Sequence, residues 1–84
     1  DKDPKLLWAE KNKNFFPVEI NNADFYQLIR VPGIGIKTAE RIINERKNCK
    51  IKYQQTLEKI GVNLKRAGPF ITLNGKKINF LFKI

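Results

Sequence analysis

The apolar positions near the start of the chain predict a short helix followed by an extended segment. Asp3 can cap a helix and Pro4 suits its first position, and residues 5–13 continue with a run of apolar side chains. Pro17 disfavours helical backbone at the residue before it, so residues 14–20 are predicted to be an extended connector. The chain therefore opens with a docking helix and its connection to the next elements.

The middle of the chain has apolar positions at helical spacing, interrupted by Pro and Gly. Helices are predicted over residues 23–29, 37–47, 54–60 and 63–67. Asn22 is expected to cap the first of them, and Gly61, in a left-handed conformation, to close the third. Residues 48–53 are predicted to be a basic linker.

The C-terminal segment changes to the alternating pattern of β-strands. Asn74-Gly75 is the strongest short signal for a two-residue hairpin turn, because both positions require positive φ. Strands are therefore predicted over residues 70–73 and 76–82. Ile71 is expected opposite Ile78, and the face that packs onto the helices is expected to carry Ile71, Leu73, Ile78, Phe80 and Phe82.

The charge of the chain narrows the classes of partner. Seventeen Lys and Arg against eight Asp and Glu give a formal net charge of +9 on 84 residues, and such a field attracts polyanions such as nucleic acid. Lys, Asn and Ile are all abundant, which an AT-rich coding sequence from a low-GC bacterium would also produce. Charge alone therefore leaves both explanations open.

Cysteine and histidine usage excludes several chemistries. Cys49 is the only cysteine and the chain has no histidine, so intramolecular disulfides, zinc fingers and His-based catalysis are excluded for this segment. A reducing, cytoplasmic location fits this composition. The clearest apolar run is four residues long, against roughly 20 for a membrane span, so no membrane association is expected.

A turn rich in Pro and Gly carries the strongest functional signal. The sequence VPGIG over residues 31–35, followed by Lys37, Thr38 and Ala39, resembles the helix-hairpin-helix family of non-sequence-specific DNA-binding motifs. The residue types agree with that function, because two glycines let the backbone approach a ligand and the turn ends at a helix N-terminus with free N–H groups. Ile34 is predicted to point inward between the two helices.

The resemblance implies a duplex DNA partner held through its phosphates. The expected contacts lie around the glycines and on nearby polar side chains: Pro32, Gly33, Ile34, Gly35, Ile36, Lys37, Thr38, Arg41, Lys65 and Arg66. For some members of the family it also implies a weakly bound monovalent cation, here at the carbonyl groups of Ile29, Val31 and Ile34. The alternative is a turn that only joins packed helices, or a protein interaction module similar to the sterile alpha motif.

An internal repeat at an offset of 28 residues supports the DNA-binding interpretation. Residues 33–39 align with residues 61–67 and keep Gly, two apolar positions, Lys and Ala in register. The second copy is degenerate, since Ile60 replaces the proline and Asn63 replaces the second glycine. Gly68-Pro69 also cuts its second helix short. Asn tolerates left-handed backbone, so a left-handed Asn63 would still allow phosphate contact at the second copy.

The chain as a whole is similar to the C-terminal domain of a bacterial family of DNA modification or repair proteins that carry a radical S-adenosylmethionine domain. The likeness covers Asp3 to about Gly75 and is carried by residues 3–6, 8–9, 16–18, 21, 31–35, 64–67 and 70–71. It implies an iron-sulfur cluster and S-adenosylmethionine in an upstream domain, because Cys49 alone cannot supply the three cysteines of such a cluster. It also implies a uracil-DNA glycosylase-like partner. The start without an initiator Met favours a segment of a longer chain.

Catalysis by the chain itself is a third interpretation. The hairpin resembles base-excision glycosylases whose bifunctional members use a lysine at the position of Lys37 as a Schiff-base nucleophile. Those enzymes also carry an aspartate beyond the hairpin, whereas the last Asp of this chain is Asp24, before it. A chain of this length also lacks the material for a flipped-base pocket. The segment is therefore predicted to be a binding module and not an enzyme.

Together these features predict a mainly α fold in one domain, a tandem helix-hairpin-helix with a degenerate second copy. The predicted segments are a lead-in helix and connector over residues 1–20, the first hairpin motif over 21–48, the degenerate second motif over 53–69 and a small C-terminal β-hairpin over 70–84.

Overall fold

The computed structural model of the chain describes residues 3–78. In order, these residues form α1 (Pro4–Lys11), β1 (Val18–Glu19), α2 (Phe25–Ile29), α3 (Ile36–Glu45), α4 (Gln54–Lys59), α5 (Leu64–Ala67), β2 (Ile71–Leu73) and β3 (Lys76–Lys77). Short 3₁₀ turns cover Lys13–Phe15 and Gly68–Phe70. The mainly α prediction is confirmed, and the predicted strand positions Phe80 and Phe82 lie outside the described residues. Between residues 3 and 78, no helix is long and apolar enough to cross a membrane.

The starts of the first two helices show how local side chains set helix boundaries. The Asp3 carboxylate accepts a hydrogen bond from the Lys5 N–H at 3.1 Å, with Pro4 at the first helical position, as predicted. The second helix begins later than predicted, because Asp24 caps it instead of Asn22. Asp24 and Gln27 form a reciprocal capping box with hydrogen bonds of 2.8 and 2.9 Å, which satisfies two free N–H groups at once.

The sheet contains one strand that the sequence pattern did not predict. β1 lies within the predicted extended connector and pairs in parallel with β2, with Val18 opposite Ile71. β2 and β3 form the predicted antiparallel hairpin, in a register that places Ile71 opposite Ile78. Both turn residues of this hairpin have positive φ, Asn74 at 54° and Gly75 at 79°, as the sequence predicted.

The core lies between the helices and the sheet. Its largest fully buried side chains come from every layer of the fold: Ile20, Leu28, Val31, Pro32, Ile34, Ile42, Leu57 and Ile71. Each fully buried aliphatic side chain contributes about 1.5 to 3 kcal/mol to folding. Ala39 is also fully buried, so its small side chain permits the close packing of α3 against the neighbouring elements.

A single carboxylate joins the sheet to the turn that precedes α2. Glu19 Oε1 accepts hydrogen bonds from Gly75 N at 2.7 Å and Thr72 Oγ1 at 2.8 Å, and Oε2 accepts from Asn21 N at 3.1 Å and Asn74 N at 2.9 Å. Partial burial raises the pKa of Glu19, but these hydrogen bonds lower it by a larger amount. The pKa of Glu19 therefore lies below its ordinary value. The carboxylate therefore stabilises both the β2–β3 turn and its contact with β1.

The segment predicted as a basic linker is anchored to the core. Ile51 is buried, and its backbone pairs with the side-chain amide of Asn21 through hydrogen bonds of 2.9 and 3.0 Å. The Asn74 side chain donates to the same Ile51 carbonyl at 3.0 Å. This contact spans thirty positions in the chain, so a linker assignment from local composition did not reveal it.

An aromatic cluster seats α1 on the rest of the fold. Trp8 meets Phe15 edge to face with ring centroids 5.1 Å apart, and Phe16 meets Phe70 in the same way at 5.1 Å. The Arg30 guanidinium lies 4.4 Å from the centroid of the Trp8 ring. Offset and edge contacts of this kind stabilise beyond simple burial, so α1 is held as the predicted docking helix.

Candidate nucleic-acid interface

The first hairpin is the turn between α2 and α3. Ile34 is fully buried at its centre, as the sequence predicted, and its N–H donates to the Val31 carbonyl at 3.1 Å. Gly33 has φ at +92°, a conformation that L side chains rarely adopt. Pro32 is fully buried as well, so the side chains of Pro32 and Ile34 position the turn and present no surface to a ligand.

Gly33 faces the second half of the protein. A Cβ built at this position would lie 2.8 Å from the Asn63 carbonyl oxygen, and the Gly33 carbonyl itself accepts a hydrogen bond from Asn63 N at 3.2 Å. Close approach of two backbones therefore requires glycine here. Of the two glycines that were expected to let the backbone approach a ligand, Gly33 instead meets another part of the chain.

Gly35 has the opposite surroundings. Its backbone is extended, with φ at −94° and ψ at −176°, and a Cβ built on it would meet no atom within 4 Å among the described residues. Any L residue can adopt this conformation, so the backbone of position 35 does not itself require glycine. Gly35 is instead the N-cap of α3, and the open space beside it leaves its backbone accessible.

The N-terminus of α3 is open to an anion. No side chain in residues 3–78 caps this helix, and the N–H groups from Gly35 to Thr38 have no protein acceptor in that part of the chain. The first turn of a helix leaves such N–H groups unsatisfied and adds the positive end of the helix dipole. This combination suits a phosphate oxygen.

The side chains of the first turn of α3 divide into two groups. Ile36 is 61% exposed and Lys37 is exposed beside it, so both face solvent at the tip of the hairpin. Thr38 and Arg41 turn toward the second hairpin, which is the turn between α4 and α5. Thr38 Oγ1 donates to the Gly61 carbonyl at 3.5 Å and Arg41 Nη1 to the Ile60 carbonyl at 3.4 Å. These two long hydrogen bonds make Thr38 and Arg41 bridging residues as well as predicted phosphate ligands.

The second hairpin repeats the geometry of the first at an offset of 28 residues. Gly61 has φ at +110°, matching Gly33, and α5 begins at Leu64, the position that aligns with Ile36. Asn63 is not left-handed, since its φ is −82°; its side chain instead caps α5 by accepting from Arg66 N at 3.3 Å. The second hairpin therefore supplies its own acceptor where the first leaves N–H groups free.

The two predicted cations of the second hairpin have different surroundings. Lys65 is exposed, and the Arg66 guanidinium forms an ion pair with the Asp3 carboxylate at the start of α1. Asp3 thus contacts a residue 63 positions away, and no local pattern in the sequence indicates that contact.

Lys5 reaches the first hairpin from the same end of α1. Its ammonium donates a hydrogen bond to the Ile34 carbonyl, which was one of the three carbonyl groups expected to hold a monovalent cation. Partial burial lowers the pKa of Lys5 below its ordinary value. The Val31 carbonyl, a second member of that set, accepts the Ile34 N–H. The Ile34 carbonyl, expected to bind a cation, is therefore already hydrogen-bonded to the Lys5 ammonium.

The two hairpins enclose an open groove of about 320 Å³. Residues of both turns line it, together with Asp3, Lys5, Thr38 and Arg66. Sequence reasoning identified the two turns and Arg66, but it missed Asp3 and Lys5, because α1 was predicted only to dock. In the described part of the chain, no group of three or more His, Cys, Asp or Glu side chains is placed to hold a metal ion.

Comparison with protein families gives one match. The model of the helix-hairpin-helix motif matches residues 13–62, more than half of the 84-residue chain. The chain belongs to the helix-hairpin-helix family. The matched range covers α2, the first hairpin, α3 and α4, and it ends at the turn of the second hairpin. No curated protein and no solved structure gives a significant match.

The family assignment agrees with the geometry of the site. Helix-hairpin-helix motifs are generally nucleic-acid-binding modules, and the motif alone is compatible with a chain that binds without catalysing a reaction. The exposed N-terminus of α3 and the neighbouring Lys37 lie within the matched range.

Proposed function

We propose that this helix-hairpin-helix domain binds duplex DNA through backbone phosphates, without reading the base sequence, and that the N-terminus of α3 is its principal phosphate site. The observation that carries the proposal is the uncapped start of this ten-residue helix, at a glycine with open space beside it. Free N–H groups and the helix dipole act together there on an anion.

The groups offered at this site account for the lack of sequence preference. Backbone N–H groups and a lysine ammonium bind phosphate oxygens, which are the same at every base pair. Sequence readout requires side chains that hydrogen-bond to base edges in a groove. The guanidinium of Arg41, which would be suited to such readout, is directed to the Ile60 carbonyl.

The charge of the whole domain supports the same partner. A formal net charge of +9 on 84 residues raises the local concentration of a polyanion and makes binding depend on salt. The hairpin geometry then determines where the phosphates are held on this basic surface.

We also propose that the domain targets a larger DNA modification or repair protein to its substrate. The support is the sequence likeness to the C-terminal domain of radical S-adenosylmethionine proteins of that class, which runs from Asp3 to about Gly75. The iron-sulfur cluster and the uracil-DNA glycosylase-like partner belong to this proposal and not to the described residues.

Salt-dependent DNA binding tests the proposed function. Affinities for unrelated duplexes of one length should agree within a factor of about three, and log K should fall with log salt at a slope of about −4 to −5 if about four to six phosphates are neutralised. Lys37→Ala should lower the magnitude of this slope by about one. Lys47→Ala removes another exposed lysine, just beyond the other end of α3, and is the matched control. A salt-independent affinity, or equal effects of the two variants, would contradict the proposal.

A further inference from the structure

The groove between the hairpins already contains an anion supplied by the chain. The Asp3 carboxylate is paired with the Arg66 guanidinium, and both residues line this groove. The two oxygens of the carboxylate have separate partners, since Oδ1 accepts from Lys5 N and caps α1 while Oδ2 faces Arg66. The contact with Arg66 can therefore be exchanged without uncapping the helix.

The first turn of α1 connects both hairpins through this carboxylate and the neighbouring lysine. Lys5 donates its ammonium to the Ile34 carbonyl of the first hairpin, and Asp3 pairs with Arg66 of the second. An ammonium has three donors, so the bond to Ile34 leaves two for a further acceptor. Lys5 and Arg66 thus bring two cations to one groove, with one carboxylate between the hairpins.

We propose that this groove binds one phosphate of the DNA backbone through Arg66 and Lys5, and that Asp3 occupies Arg66 when DNA is absent. This inference rests on the proposed DNA-binding function and adds a second phosphate site to the one at α3. It assigns Lys5 to the DNA-binding surface, and it gives Asp3 the role of a competitor for phosphate.

The chemistry of the pair permits such an exchange. A guanidinium presents its N–H groups in a planar fork that matches a carboxylate and a phosphate equally well. The Arg66 and Asp3 side chains are 44% and 33% exposed, so water and salt screen their attraction. A phosphate that is held at the same time by neighbouring contacts along the DNA can displace a single half-exposed carboxylate.

The exchange has a measurable consequence. While Asp3 pairs with Arg66, the guanidinium contributes no net positive charge toward DNA, and a phosphate must displace the carboxylate to bind. Removing the negative charge of Asp3 should therefore strengthen DNA binding and release about one additional counterion.

The test compares two substitutions that change the net charge equally. Asp3→Asn and Asp24→Asn each remove one carboxylate from the N-cap of a helix, and Asn caps as well as Asp does. Asp24 lies at the end of α2 away from the hairpin. Asp3→Asn should raise the affinity for a duplex about three- to tenfold and steepen the salt slope by about 0.9, and Asp24→Asn should raise the affinity less than about twofold.

The same substitutions in an Arg66→Gln background test whether the gain in DNA affinity depends on Arg66. In that background, Asp3→Asn should raise the affinity no more than Asp24→Asn does, since the cation that Asp3 occupies is gone. Equal gains from the two Asp substitutions in the wild-type background would overturn the groove site while leaving salt-dependent binding at α3 intact. Absence of DNA binding by the wild-type protein would overturn both proposals.

Discussion

Gly33 and Gly35 lie two positions apart in the first hairpin and have different roles. Gly33 has positive φ and lies against the backbone of Asn63. Gly35 has an ordinary extended conformation and faces open space. The fold therefore requires glycine at position 33. At position 35, glycine matters only for a ligand that approaches the exposed backbone.

Replacing Gly33 should destabilise the protein. Gly33→Ala combines a left-handed L residue with a Cβ 2.8 Å from a backbone oxygen, so the free energy of unfolding should fall by about 2 to 4 kcal/mol. Gly75→Ala is the control, because it has φ at +79° but no atom within 4 Å of the added Cβ, and it should cost about 1 kcal/mol. Urea denaturation measures both, and equal losses would show that the contact with Asn63 is unimportant.

Replacing Gly35 should affect DNA binding and spare the fold. Gly35→Asn gives the first hairpin the capping residue of the second, so the free energy of unfolding should change by less than about 0.5 kcal/mol. The new amide oxygen would accept a hydrogen bond from an N–H group that is proposed to donate to phosphate. The binding free energy should therefore weaken by about 1 to 3 kcal/mol. Fluorescence anisotropy with a labelled duplex measures this loss. Wild-type affinity in a folded Gly35→Asn variant would place the phosphate site elsewhere.

At the residue scale, the sequence predicted the hairpin, but it did not predict that one glycine is packed and the other is open. Pro32 and both glycines mark a tight turn in any context, since their backbone preferences are local. Which of the two glycines is open depends on α5, about thirty residues further along the chain. The predicted DNA contacts at Ile36 and Lys37 are exposed, whereas Thr38 and Arg41 also bridge to the second hairpin.

At the element scale, the internal repeat predicted the relation between the two hairpins. Gly33 and Gly61 have matching positive φ, and the buried Ala39 and Ala67 occupy equivalent positions in α3 and α5. The β2–β3 turn was predictable as well, because Asn-Gly specifies it locally. β1 was not predictable, since its two residues become a strand only by pairing with a segment more than fifty positions away.

The Glu19 carboxylate gives a prediction about the sheet and its turn. In Glu19→Gln, one oxygen becomes an amide nitrogen that cannot accept hydrogen bonds. One orientation of the amide loses the bonds from Asn21 N and Asn74 N, and the other loses the bond from Gly75 N and reverses the one with the Thr72 hydroxyl, which can also accept. The free energy of unfolding should fall by about 1 to 3 kcal/mol at neutral pH. Glu40→Gln, an exposed position on α3, is the control and should change it by less than about 0.5 kcal/mol.

The same carboxylate predicts how stability depends on pH. The pKa of Glu19 is lower in the folded state than in the unfolded chain, so its contribution is complete above the unfolded value of about 4.3 and is lost as pH falls through the folded pKa. The difference in stability between wild type and Glu19→Gln should therefore shrink on acidification. A difference that stays constant between pH 7 and pH 2 would show that Glu19 acts through packing alone.

At the scale of the whole molecule, α1 links the two hairpins through polar contacts. Its first turn contacts Ile34 through Lys5 and Arg66 through Asp3, while its Trp8 ring packs on Phe15. The sequence predicted a docking helix from its cap and apolar run, but these polar contacts depend on tertiary placement. The surface is asymmetric, because the first hairpin offers free N–H groups and the second caps its own helix.

The most direct test of phosphate binding at α3 is a two-dimensional NMR titration of ¹⁵N-labelled protein with a short duplex. The backbone amide signals of Gly35, Ile36, Lys37 and Thr38 should move most, since their N–H groups are the proposed phosphate donors. Signals from Asn63 to Arg66 should move less, and the same pattern should appear with a duplex of unrelated sequence. Unchanged Gly35 to Thr38 signals, with shifts concentrated at Lys76 and Lys77 of β3, would contradict the account.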